Sequence, residues 1–330
     1  MIRTPRLIGA ILAALAALAF LASLTLGPVA VHPAALFVPG TELHGDAAML
    51  IMREIRLPRA LLALLIGAAL GASGAALQGF LRNPLAEPGV IGVSAFAALG
   101  AVIALYTGLS SAVPLALPVL ATGAALLAAG LLYVLAGRAS TLTLILAGVA
   151  LSSLAGALTA LALNLSPNPF AAQEIVFWLM GSLTDRSLLH VALATPFILA
   201  GLVLLLLAAR ALDVLTLGEE AATSLGVDLA RLRWQVVLGT ALSAGAATAV
   251  AGVIGFVGLV VPHLLRPVLG HRPAVLVPMS ALGGGLLLLL ADIAVRLVTP
   301  GAELKLGVVT ALVGAPFFLW LVLRSRGGAG

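Results

Sequence analysis

The chain has no cysteine, a single lysine and few charged side chains of any kind, which make up 9% of its 330 residues. Without cysteine there are no disulfides, no thiolate metal sites and no thiol nucleophile. The one lysine, Lys305, stands in no GxxxxGK[ST] loop, so the usual cradle for ATP phosphates is missing. HExxH and GxSxG patterns are missing too. The other sixteen basic residues are arginines dispersed at the ends of apolar segments, and no basic run offers a track for nucleic acid despite a formal net charge of +5. The chain is expected to be no enzyme and to bind no cofactor, metal or nucleic acid of its own.

Apolarity fills the space left by those absences. Hydrophobic residues are 62% of the chain and the mean hydropathy is +1.23, far outside the soluble range. The expected fold is an all-α polytopic membrane protein, one domain over residues 1–330, because no polar linker divides it. About 20 apolar residues suffice for a span, and about ten transmembrane helices are read: 7 to about 31, 57–81, 90–107, 114–136, 141–163, 188–209, 234–250, 253–265, 275–298 and 306–323. The first follows Arg3 and Arg6 as a signal peptide would, yet it is longer than a signal core and is taken as retained. Segment 164–186 is mixed, and its apolar centre, 175–183, is too short to span. It reads as a re-entrant or interfacial helix. Phe177, Trp178 and Met180 there suit packing, or the vestibule of a flat, partly apolar ligand.

Charge gathers in one place. Seven charged residues lie between Arg210 and Arg233, after a run, 191–209, that has none. Within this island, about 213–233, Glu219 and Glu220 suit the positive start of a short helix after Gly218. Ala221, Ala222 and Leu225 give it an apolar face, Gly226 is a natural stop, and Asp228 can cap the next helix. A helix, a tight turn and a second helix start would then meet something in water. With an inside N-terminus, eleven basic residues fall inside and six outside, which puts both termini and the island in the cytoplasm. Arg53, Arg56, Arg59 and Arg296 are among the outward exceptions. Asp292 and Arg296 read either as a self-neutralising i,i+4 pair or, for the arginine, as part of a surface for a partner's carboxylates. Arg56 and Arg59 read as docking residues. The five histidines, His32, His44, His190, His263 and His271, fall at loops or helix ends and read as solvated or helix-terminal groups. Asp292 is the only carboxylate well inside a span, unlike the acidic chain of many ion-coupled carriers. An ion-coupled carrier stays open as the alternative to a permease driven by a partner.

Several blocks then carry a resemblance: Arg56-Leu57-Pro58-Arg59, Gly67-Ala68-Ala69-Leu70, Leu81-Arg82-Asn83-Pro84-Leu85-Ala86-Glu87-Pro88-Gly89, Leu146-Ala147-Gly148-Val149-Ala150, Gly255 through His263, Leu290-Ala291-Asp292 and Gly307 through Pro316. In this order they resemble the FecCD family, permease subunits of ABC importers for ferric siderophores, haem and cobalamin. The resemblance implies a type II ABC importer permease, working as a homodimer in a bacterial inner membrane. Its partners would be two ATP-binding cassette ATPase subunits, which hold ATP and Mg, and a periplasmic substrate-binding protein. It also implies that 218–229 looks like the coupling helices seated in the ATPase, that Arg56, Arg59 and Arg296 meet acidic residues of the binding protein, and that Asn83, Leu85 and Thr141 form the cytoplasmic gate. Leu142 departs from the second small hydroxyl that cobalamin-type members can carry. An iron chelate, siderophore or haem, is the expected cargo, with cobalamin as the alternative.

Overall fold

The computed structural model describes residues 5–27, 45–113, 115–136, 141–298 and 304–326. His32, His44, Pro114 and Arg138 lie outside the described residues, as do Arg3 and the part of the expected first span beyond Gly27. Among these residues fourteen α-helices run in chain order: α1 Pro5–Thr25, α2 Gly45–Leu50, α3 Leu57–Phe80, α4 Val93–Tyr106, α5 Leu109–Ala112, α6 Ala116–Ala136, α7 Thr141–Asn164, α8 Pro169–Leu179, α9 Leu188–Leu215, α10 Glu219–Ser224, α11 Leu229–Ala251, α12 Val257–Leu269, α13 Pro273–Val298 and α14 Leu306–Arg326. No strand occurs among the described residues. Among the described residues, seven helices are long and apolar enough to cross a membrane, and α4, α12 and the Leu306–Trp320 part of α14 are shorter apolar helices.

The mast of the bundle is α3, whose 24 residues rise about 36 Å at 1.5 Å each. One of its faces is a stripe of small residues. A Cβ on Gly67 would collide with the Gly284 carbonyl, on Gly71 with that of Ser280, and on Gly74 with that of Gly258. The expected small-xxx-small contact is therefore real, and it brings α13 and α12 against α3 backbone to backbone. Ser73 and Ser243 join α3 to α11 by a buried 2.9 Å hydroxyl pair. Lower on α3, Gln78 donates to the Gly258 carbonyl at 3.1 Å and accepts from Arg266.

Several boundaries differ from the expected ones, each for a physical reason. Residues 45–56, read as a charged approach, are helical: α2 runs through a π-helical stretch, Ile51–Arg56, straight into α3. Pro58 explains the widened turn, since its ring crowds the preceding carbonyls and it has no N–H to return. Buried Met52 supplies the apolar face that the neighbouring charges concealed. Helix α9 continues past Ala209 to Leu215, carrying Arg210 and Asp213 in its last turns. Asp213 then caps the start of α13, accepting from the Ala274 N–H at 2.7 Å and from Arg272 at 3.1 Å. Of the 175–183 centre only residues 175–179 belong to α8, which begins earlier: the Asn168 side chain accepts from the Ala171 N–H at 2.9 Å, with Pro169 in the first turn, and 180–183 is not helical.

The eighth expected span starts at Val257 instead of Val253, because 252–256 is not helical. This link descends beside α3. Val253 lies against Gly181 and Gly307, near the Arg59 end, while Gly258 already touches Gly74. The short α12 completes a crossing that irregular backbone begins.

A side chain at Gly71 has nowhere to go. Gly71→Val should destabilise the bundle by about 3 kcal/mol, read as a lowered thermal midpoint in detergent, whereas the same change at Gly156, which faces open space, should leave it within about 0.5 kcal/mol.

Candidate functional site

At one end of α3 sits a buried ion cluster. Asp292 of α13 is fully buried and receives the Arg59 Nε at 2.7 Å and an Arg296 guanidinium nitrogen at 3.0 Å. The arginines also reach α1. Arg296 donates to the Ser23 carbonyl at 3.0 Å, the Leu26 carbonyl at 3.1 Å and the Ser23 hydroxyl at 2.6 Å. Arg56 donates to the carbonyls of Leu24 and Thr25 at 2.8 and 2.7 Å. Apart from that of Leu26, just past its end, these are the last carbonyls of α1, which no further helical turn can satisfy, at the negative end of its dipole. Two guanidiniums thus cap α1 while one carboxylate neutralises part of their charge. The i,i+4 pairing of Asp292 and Arg296 is present, and Arg59 joins it from another helix. Arg53 and Glu54 are the exposed charges beside the cluster.

Next to it, Thr184, Asp185 and Arg186 line a cavity of about 290 Å³ with Glu54 and Arg59. Burial lowers the pKa of Arg186, against the opposing pull of Asp185. Among the histidines, His190 caps the start of α9, accepting from the Ser187 N–H at 3.2 Å. His263 departs from its expected terminal place: it lies inside α12 with its ring 5.9 Å from that of Phe317.

The charged island lies at the other end of α3, folded much as its sequence suggests. Helix α10 runs Glu219–Ser224, Gly226 follows with φ +87°, and the Asp228 carboxylate accepts from the N–H groups of Ala230 and Arg231, both at 3.0 Å. The left-handed turn is closed by Gly226 donating to the Thr223 carbonyl and Val227 to that of Ala222, both at 2.9 Å. Of the expected apolar face only Ala222 is buried; Leu225 points outward, 66% exposed. The reason is the turn itself, which carries the chain from Gly226 toward α11 and leaves Leu225 on the open side with the exposed Leu217.

Three residues from different segments meet there. Thr141, the first residue of α7, donates its hydroxyl to Glu219 at 3.2 Å, and Arg82 lies 3.9 Å from the same carboxylate oxygen. Arg82 has φ +48° at the head of the turn in which the Asn83 side chain accepts from the Leu85 N–H at 3.0 Å. Farther along, Ser152 of α7 donates to the Gly89 carbonyl at 3.1 Å. Burial raises the pKa of Glu87, partly offset by the backbone N–H of Phe256. The sequence offered no sign that Arg82 belonged to this group beyond its place beside Asn83-Pro84.

Between the two ends, a shallow chamber of about 610 Å³, wide open on one side, lies against the irregular 252–256 link. Met180, Val253, Phe256, Val308 and Leu312 are among its walls, and no lining side chain is polar. The Gly307 N–H donates to the Gly181 carbonyl at 3.1 Å and the Ser182 N–H to that of Ala251 at 2.7 Å, closing one end with main-chain bonds. Of the three expected vestibule residues, only Met180 lines it. Phe177 instead lies under the Lys305 ammonium, 5.9 Å away.

A helical bundle with non-helical backbone beside an apolar chamber, and a charged helix–turn–helix at one face, has the build of a transport permease. The chain belongs to the FecCD transport family, whose sequence profile matches residues 15–324, and it is a permease subunit of the ABC importer class. The vitamin B12 import system permease BtuC of Vibrio cholerae is 46% identical over 278 residues, 83% of this chain and 82% of the relative. The hemin transport system permease HmuU of Yersinia pestis is 39% identical over 333 residues, 98% of this chain and 97% of the relative. A solved structure described as an inward-facing conformation, of a transporter assigned to the metal-chelate ABC type, matches with TM-score 0.86 at 33% identity, covering 97% of this chain and 99% of that one.

Removing the buried carboxylate leaves Arg59 and Arg296 facing each other. Asp292→Ala should cost about 3–5 kcal/mol, seen as a large fall in thermal midpoint.

Proposed function

We propose that the protein carries a ferric chelate, siderophore or haem, from periplasm to cytoplasm by alternating access at a homodimer interface, driven by two separate ATPase subunits that hold ATP and Mg. One observation carries this reading: the irregular 252–256 backbone borders the apolar chamber at depth. Unwound backbone within a membrane is tolerated where it is buried in protein or lines a cavity, and broken helices of this kind mark substrate paths in transporters. The chamber is of the size that binds drug-sized ligands, and its walls suit a large, partly apolar chelate. The match to a hemin permease along nearly the whole chain supports the cargo. Cobalamin is the second reading, favoured by the more identical but less extensive match to a vitamin B12 permease.

In this account the chain is a single membrane domain of ten spans, with both termini and the island in the cytoplasm of a bacterial inner membrane, as the excess of inside arginines supports. Exposed Leu217, Glu220 and Leu225 would seat in the ATPase. Asn83, Leu85 and Thr141 would close the inner end. Arg56, Arg59 and Arg296 would meet the binding protein's carboxylates, which must compete with the α1 carbonyls and Asp292, while Arg53 stands exposed beside them. ATP can drive transport only if the ATPases bind one permease state better than another.

Uptake of haem, a ferric siderophore or cobalamin into proteoliposomes holding the complete transporter should require ATP and the binding protein; uptake by the permease alone would favour an ion-coupled carrier. Gly226→Pro should abolish coupled uptake, because proline cannot adopt φ +87° and has no N–H for Thr223. Arg56→Glu with Arg59→Glu should weaken binding-protein affinity about tenfold or more at low salt and less at high salt. Arg53→Glu, which leaves the buried cluster intact, should weaken it in the same direction without lowering the thermal midpoint.

A further inference from the structure

The two adjacent carboxylates of α10 face different ways. Glu220 is exposed at the surface, whereas Glu219 turns back toward the bundle and accepts from Thr141. We propose that Glu219 is a positioning residue that links the surface helix directly to the inner gate, so that displacing α10 moves the start of α7 and the 81–92 turn together. This rests on the reading of α10 as the ATPase-coupled helix and of Asn83, Leu85 and Thr141 as the gate.

The geometry supplies each part of the linkage. At 3.2 Å, to a carboxylate that is 44% exposed, the Thr141 bond is longer than a strong charge-assisted one and so can be broken and remade at modest cost. Thr141 opens α7, so the pull acts on the end of a rigid helix and not on a loop. Seven residues further along α7, Gly148 lies against the backbone of Val90 and Ile91, too close to admit a side chain. Ser152 adds its bond to the Gly89 carbonyl. The turn that carries Asn83 and Leu85 is therefore fastened to α7 at its far end and faces Glu219, through Arg82, at its near end. The Arg82 contact is long and half exposed, so it contributes little by itself. Ala222, fully buried, seats α10 on the bundle. Coupling of this kind needs an element with two arrangements that both sites bias. The Glu219–Thr141 bond is a contact that an α10 displacement can make or break.

The absence of cysteine gives a direct test. Leu85→Cys places the only thiol of the chain at the gate, and its labelling by a membrane-impermeant maleimide is followed in the reconstituted complex with and without ATP. ATP should change the labelling rate in this parent. Glu219→Ala and Thr141→Val should each shrink that ATP-dependent change about fivefold, and the double variant should be no worse than the more severe single one. Thr141→Ser, which keeps the hydroxyl, should restore it. A merely structural contact would lower the thermal midpoint without altering ATP dependence. The proposal is overturned by full ATP-dependent labelling in Glu219→Ala or in Thr141→Val, or by additive losses in the double variant. A parent with neither ATP-dependent labelling nor ATP-driven uptake overturns the importer reading and the linkage with it.

Discussion

Everything in this bundle depends on how closely two backbones can approach α3. In a membrane the lipid tails are as apolar as any leucine, so exclusion from water does not press helices together. Contact area and main-chain proximity must do so instead. Gly67, Gly71 and Gly74 give α3 a face without side chains, and the carbonyls of Gly284, Ser280 and Gly258 settle into it. That contact fixes the height of α13, and with it the depth of Asp292. It also fixes where α12 can begin, and so obliges residues 252–256 to travel unwound.

The two ends of α3 are held by interactions of different kinds. At the Arg59 end, a fully buried carboxylate, two guanidiniums in contact with it and a third beside them bind α1, α3 and α13, with the α1 carbonyls taking most of the remaining donors. Parting any member would strand a charge away from water, which costs several kcal/mol. The Arg82 end relies on half-exposed pairs and single hydrogen bonds, each of which water can replace at small cost. One end is stiff and the other yields.

Much of the architecture was legible because membrane spans write themselves as long apolar runs and helix ends as particular residues. Gly226 and Asp228 announced the island's turn and cap, and Gly67 and Gly71 the close contact. The errors share a cause. Charged residues were read as leaving the membrane, yet Arg53, Glu54 and Arg56 ride on a helix whose other side is apolar, and Arg210 and Asp213 sit in the last turns of α9. Periodicity loses its force where a π-helical stretch changes the winding, as at 51–56. The site was legible only in pieces. Thr141 and Glu219 are 78 residues apart and meet through tertiary packing that no local pattern encodes. The same holds for the contacts of Arg56 and Arg296 with α1, most of which go to main-chain carbonyls, groups that every residue possesses and no sequence advertises.

The bare walls of the chamber have a consequence for selectivity. Pockets that tell one ligand from another do so with a few well-placed donors and acceptors; here the lining side chains offer none. A molecule inside would find little to hold it and little to distinguish it from another of similar bulk. Weak adhesion is an advantage where passage matters more than retention, since a tightly held cargo is slow to leave. Discrimination among chelates would then be made before entry, by whatever delivers them, and the permease itself would read little more than size and greasiness.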